Sequence, residues 1–191
     1  MALYHADGNW QRGDPEYTLT VDELFALHPS AAAALWRHLL GTEWITRVTA
    51  DNIAPDDPLP LLLDNPRACA PRLISGQDHL WLRILDIPRA LQARRYDAPG
   101  RLVFEVNDHT AHAPARLALE SGRHGHATAT FTAEPAEPAL DISTLGTLYL
   151  GDQTVHQLAA AGLVAEHRPG AVLRADQMLR TTAQPWCPDG F

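Results

Sequence analysis

The spacing of apolar and polar positions changes several times along this 191-residue chain. Each change marks an expected element. Residues 2–5 read as a strand, and Tyr17-Thr18-Leu19-Thr20-Val21 as a second by its β-branched alternation. His28-Pro29-Ser30 then leads into an Ala-rich run, 31–40, with Ala34, Leu35, His38 and Leu39 at helical spacing and Gly41 as its stop. A third strand spans 45–50, where Ile45, Val48 and Ala50 alternate imperfectly. The prolines of 55–60 break the pattern, and Leu61-Leu62-Leu63 makes one or two helical turns. A boundary near 66–73 divides the chain into 1–72 and 73–191. Two or three strands and one helix can hardly close a core, so the first part needs the rest of the chain or something upstream.

The second part is more complete. Residues 79–86 alternate Leu80, Leu82 and Ile84 and read as a strand, which would place Trp81 and Arg83 on one face and Leu82, Ile84 and Asp86 on the other. Ile87-Pro88 opens a helix through Arg95, with proline at an early position where its missing N–H costs nothing. Residues 101–106, 115–120 and 127–132 are three strands, the last two joined by the turn Ser121-Gly122-Arg123-His124-Gly125, and an antiparallel meander is the simplest arrangement. Asp141 starts a helical turn, 154–161 is a helix stopped by Gly162, and 171–179 is the last helix. A sheet followed by helices that cover one face is an α+β layer architecture.

Composition narrows the function classes. With 46% hydrophobic residues the chain can bury a core. Fifteen basic residues, all arginine, stand against 23 acidic ones, and the net charge of −8 disfavours nucleic acid and anionic membrane while suiting cationic small molecules. No window approaches the apolar length of a membrane span and no signal-peptide pattern opens the chain, so a cytoplasmic protein is expected. Cys69 and Cys187 fit no metal or redox spacing. His109/His112 and His124/His126 are closely spaced but lack a second pair of ligands, so they read as loop histidines and no metal is expected.

The end of the chain, Pro185-Trp186-Cys187-Pro188-Asp189-Gly190-Phe191, is unlike a frayed tail. Termini are mobile unless tied down. Here two large aromatic residues gain by burial, and prolines restrict the segment before it docks. The α-carboxylate of Phe191 would then be held in place, able to accept a proton or bind an ammonium group. From composition alone the Phe191 ring reads as packing. Trp81 reads first as a core or interface residue and second as a substrate contact, Trp36 and Trp44 likewise read as core or interface, and Asp86 as a helix cap.

Three stretches carry a family resemblance: 81–91 (Trp-Leu-Arg-Ile-Leu-Asp-Ile-Pro-Arg-Ala-Leu), 145–151 (Leu-Gly-Thr-Leu-Tyr-Leu-Gly), and Pro185-Trp186-Cys187 with terminal Phe191. In that order they resemble the C-terminal half of the enhanced-intracellular-survival (Eis) family of GCN5-related N-acetyltransferases. The resemblance implies that 1–72 correspond to the later part of the second acetyltransferase domain, with Leu24-Phe25 and residues 34–37 matching its helix region, and 73–191 to a sterol-carrier-like domain. It further implies acetyl transfer from acetyl-CoA to amines of an aminoglycoside-like polycation, with the Phe191 carboxylate as general base and Trp81, Asp86 and Asp189 near the substrate. The partners implied are a cationic amine substrate, an upstream acetyltransferase domain and further copies in a hexameric assembly. Gly190 stands where family members carry an acidic residue, with Asp189 one position earlier. No Gly/Arg-rich pyrophosphate loop is found, since 121–125 lies between strands, and this chain alone is expected to be inactive. The rival readings are a stand-alone lipid or small-ligand binder and an oligomerisation module.

Overall fold

The computed structural model describes residues 1–11, 13–70, 81–111 and 113–187. They form two compact units, one from the described residues of 1–77 together with 186 and 187, the other from those of 78–185. The boundary expected at 72/73 lies outside the described residues.

In the first unit β1 (Ala2–Gln11) and β2 (Asp14–Leu24) form a long antiparallel hairpin turned at Gly13, whose φ of +94° suits a residue without Cβ. Helix α1 (Pro29–Leu40) returns the chain so that β3 (Ile45–Ala50) pairs parallel to β2. Alternation along β2 turns Leu19 and Val21 to one face, and the 3.6-residue period of α1 places Trp36 and Leu39 against them; all four are fully buried. Trp36 Nε1–H donates to Asp57 Oδ1 at 3.2 Å, and the same oxygen takes the Leu59 N–H at 2.8 Å where α2 (Leu59–Leu62) begins. This small unit therefore closes a core of its own. β1 runs six residues beyond the expected strand because pairing with β2 holds the polar stretch 6–11, a register that local composition does not reveal.

The second unit is a five-stranded sheet with helices over one face. Helix α3 (Ile87–Ala93) precedes β4 (Gly100–Asn107), β5 (Ala115–Ser121), β6 (Ala127–Phe131) and β7 (Pro138–Asp141). Then follow α4 (Ile142–Leu150), α5 (Val155–Ala160), β8 (Val164–Glu166) and α6 (Ala171–Leu179). The strand order is β6-β5-β4-β7-β8. Leu102, Phe104, Val106, Leu117, Leu119 and Ala129 turn inward from the sheet and meet Leu91, Leu145, Leu148, Leu158, Met178 and Leu179 from the helices. The opposite face carries the cross-strand ion pair Arg116–Glu105 (2.8 Å), and Arg101 pairs with Glu134 of the loop after β6 (2.5 Å), each worth little for stability. A Thr154/Gln157 capping box starts α5, and Gly151 ends α4 in the left-handed region at φ +88°.

Three expectations are corrected. The strand over 79–86 is absent from its described part: 81–84 has no ladder partner and 85–86 is a bend, because Asp86 turns the chain into α3 as its N-cap. Only Ile84 of that stretch is buried, and Trp81 is 88% exposed, so Trp81 is not a core residue. The simple meander is extended by β7, parallel to β4, and by β8, strands of four and three residues too short to show a period.

The helix-covered face is filled with side chains, so the full chain should yield no stoichiometric fatty acid or sterol on solvent extraction and mass spectrometry. Two aromatics of that face report its extent. Phe104 is 1% exposed and Phe131 68%. Phe104→Ala should cost about 3–5 kcal/mol in denaturant unfolding, and Phe131→Ala less than about 1 kcal/mol.

Candidate functional site

The parallel pairing of β2 and β3 puts the carboxyl ends of both strands at one end of the first sheet. In open sheets that end is where ligands are held. Phe25, just past β2, is fixed by its N–H bond to the Met1 carbonyl at 2.9 Å. Asn52, two residues past β3, sits in the left-handed region at φ +54°, a conformation asparagine tolerates better than most residues. Between them lies Trp186, one of the last described residues. Its Nε1–H donates to Asn52 Oδ1 at 3.0 Å, and its ring packs on Phe25 with centroids 6.3 Å apart. Trp186 is thus tied down. Phe191 and Asp189 themselves lie outside the described residues.

The reading of the sequence missed Phe25 and Asn52 as the seat. Leu24-Phe25 had been matched to a helix region, whereas Leu24 is the last residue of β2. The signal that could have found Asn52 is an asparagine directly after a strand, where left-handed backbone is common. Trp44, expected in a core, is 62% exposed with φ +66°, against the exposed Trp10 at 6.2 Å.

In the second unit Asp86 Oδ1 accepts the Arg89 N–H at 3.0 Å, which occupies it as a cap. Arg83 reaches both carboxylate oxygens of Asp108, at 2.9 and 3.1 Å, and Thr110 Oγ1 at 3.1 Å. Bonds from the Thr110 backbone and hydroxyl hold the Asp108 carboxyl below the usual carboxylate range. Burial pushes the Tyr96 phenol up to about 12, and its hydroxyl donates to the Leu91 carbonyl at 2.8 Å. These groups serve the fold. Among the described residues no His, Cys, Asp and Glu group could hold a metal ion.

Acetyl-CoA needs free backbone N–H groups at a helix start for its pyrophosphate. Among the described residues, the starts of α1 and α6 do not fit it. At α1 proline occupies the first turn, no side chain caps the helix, and the Ala31 and Ala32 N–H groups are taken by the His28 carbonyl. At α6 Gly170 and two nearby arginines have suitable composition, but Glu166 Oε1 already accepts the Val172 N–H at 3.0 Å, and Arg168 and Arg174 pair with the buried Glu137. In the turn 121–125, the Gly122 and Gly125 N–H groups are spent within the turn itself. An open depression of about 450 Å³ is lined by His156, Glu166, Asp176 and Arg180 together with Val172 and Leu173. No helix among the described residues is long and apolar enough to cross a membrane.

The Asn52 seat has a separable side-chain and backbone role. Asn52→Gly keeps the left-handed backbone and should leave stability within about 0.5 kcal/mol, whereas Asn52→Ala should cost about 1–2 kcal/mol for the same φ. In both variants the Trp186 indole N–H should exchange with water faster, as read by NMR.

The comparisons agree with this architecture. The family described as acetyltransferase (GNAT) domain matches residues 1–93, and the sterol carrier protein domain matches 87–188. An uncharacterized N-acetyltransferase of Streptomyces griseus is 44% identical over 100% of this chain and 45% of its own length. The N-acetyltransferase Eis of Mycobacterium tuberculosis is 40% identical over 84% of this chain and 39% of its own. The crystal structure of Eis1 from Mycobacterium abscessus superposes with a TM-score of 0.78 at 35% identity, covering 91% of this chain and 43% of that one. The chain thus spans less than half the length of these relatives. The chain belongs to the family described as sterol carrier protein domain, and its residues 1–93 match the acetyltransferase (GNAT) domain.

Proposed function

We propose that this chain serves N-acetyl transfer from acetyl-CoA to an amine of a polycationic, aminoglycoside-like substrate, with the Phe191 carboxylate as general base. The observation that supports the reading is the seat of Trp186, five residues before Phe191, on Phe25 and Asn52 at the carboxyl ends of β2 and β3. An ammonium group must lose a proton before it can attack, and a carboxylate held near it takes that proton directly or through a water. Acetyl-CoA supplies the thioester acetyl group. Its pyrophosphate is held by an upstream acetyltransferase domain, since the helix starts described above do not accommodate it.

Charge supports a cationic substrate. The residues of the first unit, 1–77 with 186–191, include eleven Asp and Glu against five Arg. Asp189 would offer such a substrate a further carboxylate.

Two measurements test the reading. Calorimetry of this chain with acetyl-CoA should show no specific heat; a dissociation constant at or below about 1 µM, roughly −8 kcal/mol, would contradict the assignment of the cofactor site. For the base, this chain should replace the matched portion of the M. tuberculosis relative, and thiol release be followed with an aminoglycoside. Amidating or deleting Phe191 in that chimera should lower turnover about 10²–10⁴-fold at unchanged melting temperature. Turnover within a factor of about three of the parent would show that the terminus only packs.

A further inference from the structure

Trp186 is seated by one polar and one aromatic contact, and both partners stand next to residues of the first core. Leu24 precedes Phe25, and Ala50 and Ile53 bracket Asn52; all three pack against the cluster of Leu19, Val21, Trp36 and Leu39. The ladder adds a second constraint, since Ala50 pairs with the buried Val21. Asn52 is therefore held by packed residues on both sides. At its φ of +54° the least strained residues are glycine, asparagine and aspartate. Of these, asparagine and aspartate carry a side-chain acceptor oxygen and glycine carries none. Position 52 thus combines a left-handed backbone with a short acceptor, and both are used to receive the Trp186 Nε1–H at 3.0 Å.

We propose that Asn52 is a positioning residue for the chain-end carboxylate, acting through the Trp186 indole. The proposal rests on the reading of the Phe191 carboxylate as the base. Phe191 follows Trp186 by five residues, so an anchored indole keeps that carboxylate within about 18 Å of the seat. A loosened indole enlarges the volume that the carboxylate explores. Misplacing a reacting group by about 1 Å can cost roughly 10²-fold in rate, so the effect of Asn52 falls on turnover. Substrate affinity, set by groups elsewhere, changes little.

Carboxypeptidase A, which removes a C-terminal aromatic residue, reads the tail without any activity of the chain itself. In the full chain Asn52→Gly should speed release of Phe191 about fivefold, the change in open population that one neutral hydrogen bond supports, at unchanged melting temperature. Asn52→Asp, which keeps the acceptor and tolerates the backbone, should restore the parental rate. Trp186→Phe keeps a ring for Phe25 and removes the donor; it should speed release likewise, and the double variant should be no faster than Asn52→Gly alone. In the chimera with the M. tuberculosis relative, Asn52→Gly should lower kcat about tenfold or more and leave KM within a factor of about two. Equal release of Phe191 from the parent and Asn52→Gly, or full additivity of the two substitutions, would overturn the proposal. So would a parental kcat in the Asn52→Gly chimera when amidation of Phe191 does lower turnover. Turnover that survives amidation overturns the base assignment, and the proposal with it.

Discussion

One indole hydrogen bond, from Trp186 to Asn52, fixes where the last described part of this chain lies. Its acceptor is presented by a left-handed backbone turn directly after β3, and its aromatic neighbour Phe25 by the residue after β2. Both positions follow from the parallel pairing of those strands, which needs α1 as its crossover. α1 in turn is held by Trp36 and Leu39 on Leu19 and Val21. Sheet register, helix packing and the place of Trp186 are therefore links of one sequence of causes.

The second unit follows a different logic. Its inward sheet face is consumed by packing, and the buried carboxylates Glu137 and Asp176 are occupied by nearby groups. Glu137 is shared by two arginines and the Val103 N–H; Asp176 accepts the His156 N–H and pairs with Arg180. Its surface carries exposed groups such as Trp81 and the Arg83–Asp108 pair. The sterol carrier name describes its fold, while the filled sheet-helix interface describes its interior.

Much of the fold was legible where period and punctuation agree. β3 and α6 carry the expected limits, and β4, β5 and β6 were found to within about a residue, because alternation or helical spacing is bounded there by Gly, Pro or Asp. Reading failed where pairing, not local pattern, decides. Polar 6–11 becomes strand through its hairpin partner, short β7 and β8 are ordered by neighbours distant in sequence, and apolar 81–85 stays unpaired despite its alternation. At the candidate site the tail announced itself by composition. Its receptor did not, since a phenylalanine and an asparagine become a seat only when two strand ends are brought side by side.

The most direct test of that seat is a nuclear Overhauser measurement between the ring protons of Trp186 and Phe25 in the full chain. Cross-peaks between the two rings, lost in Trp186→Ala, are the expected result. Their absence under conditions where Trp36 shows its contacts to Leu19 or Val21 would contradict the account.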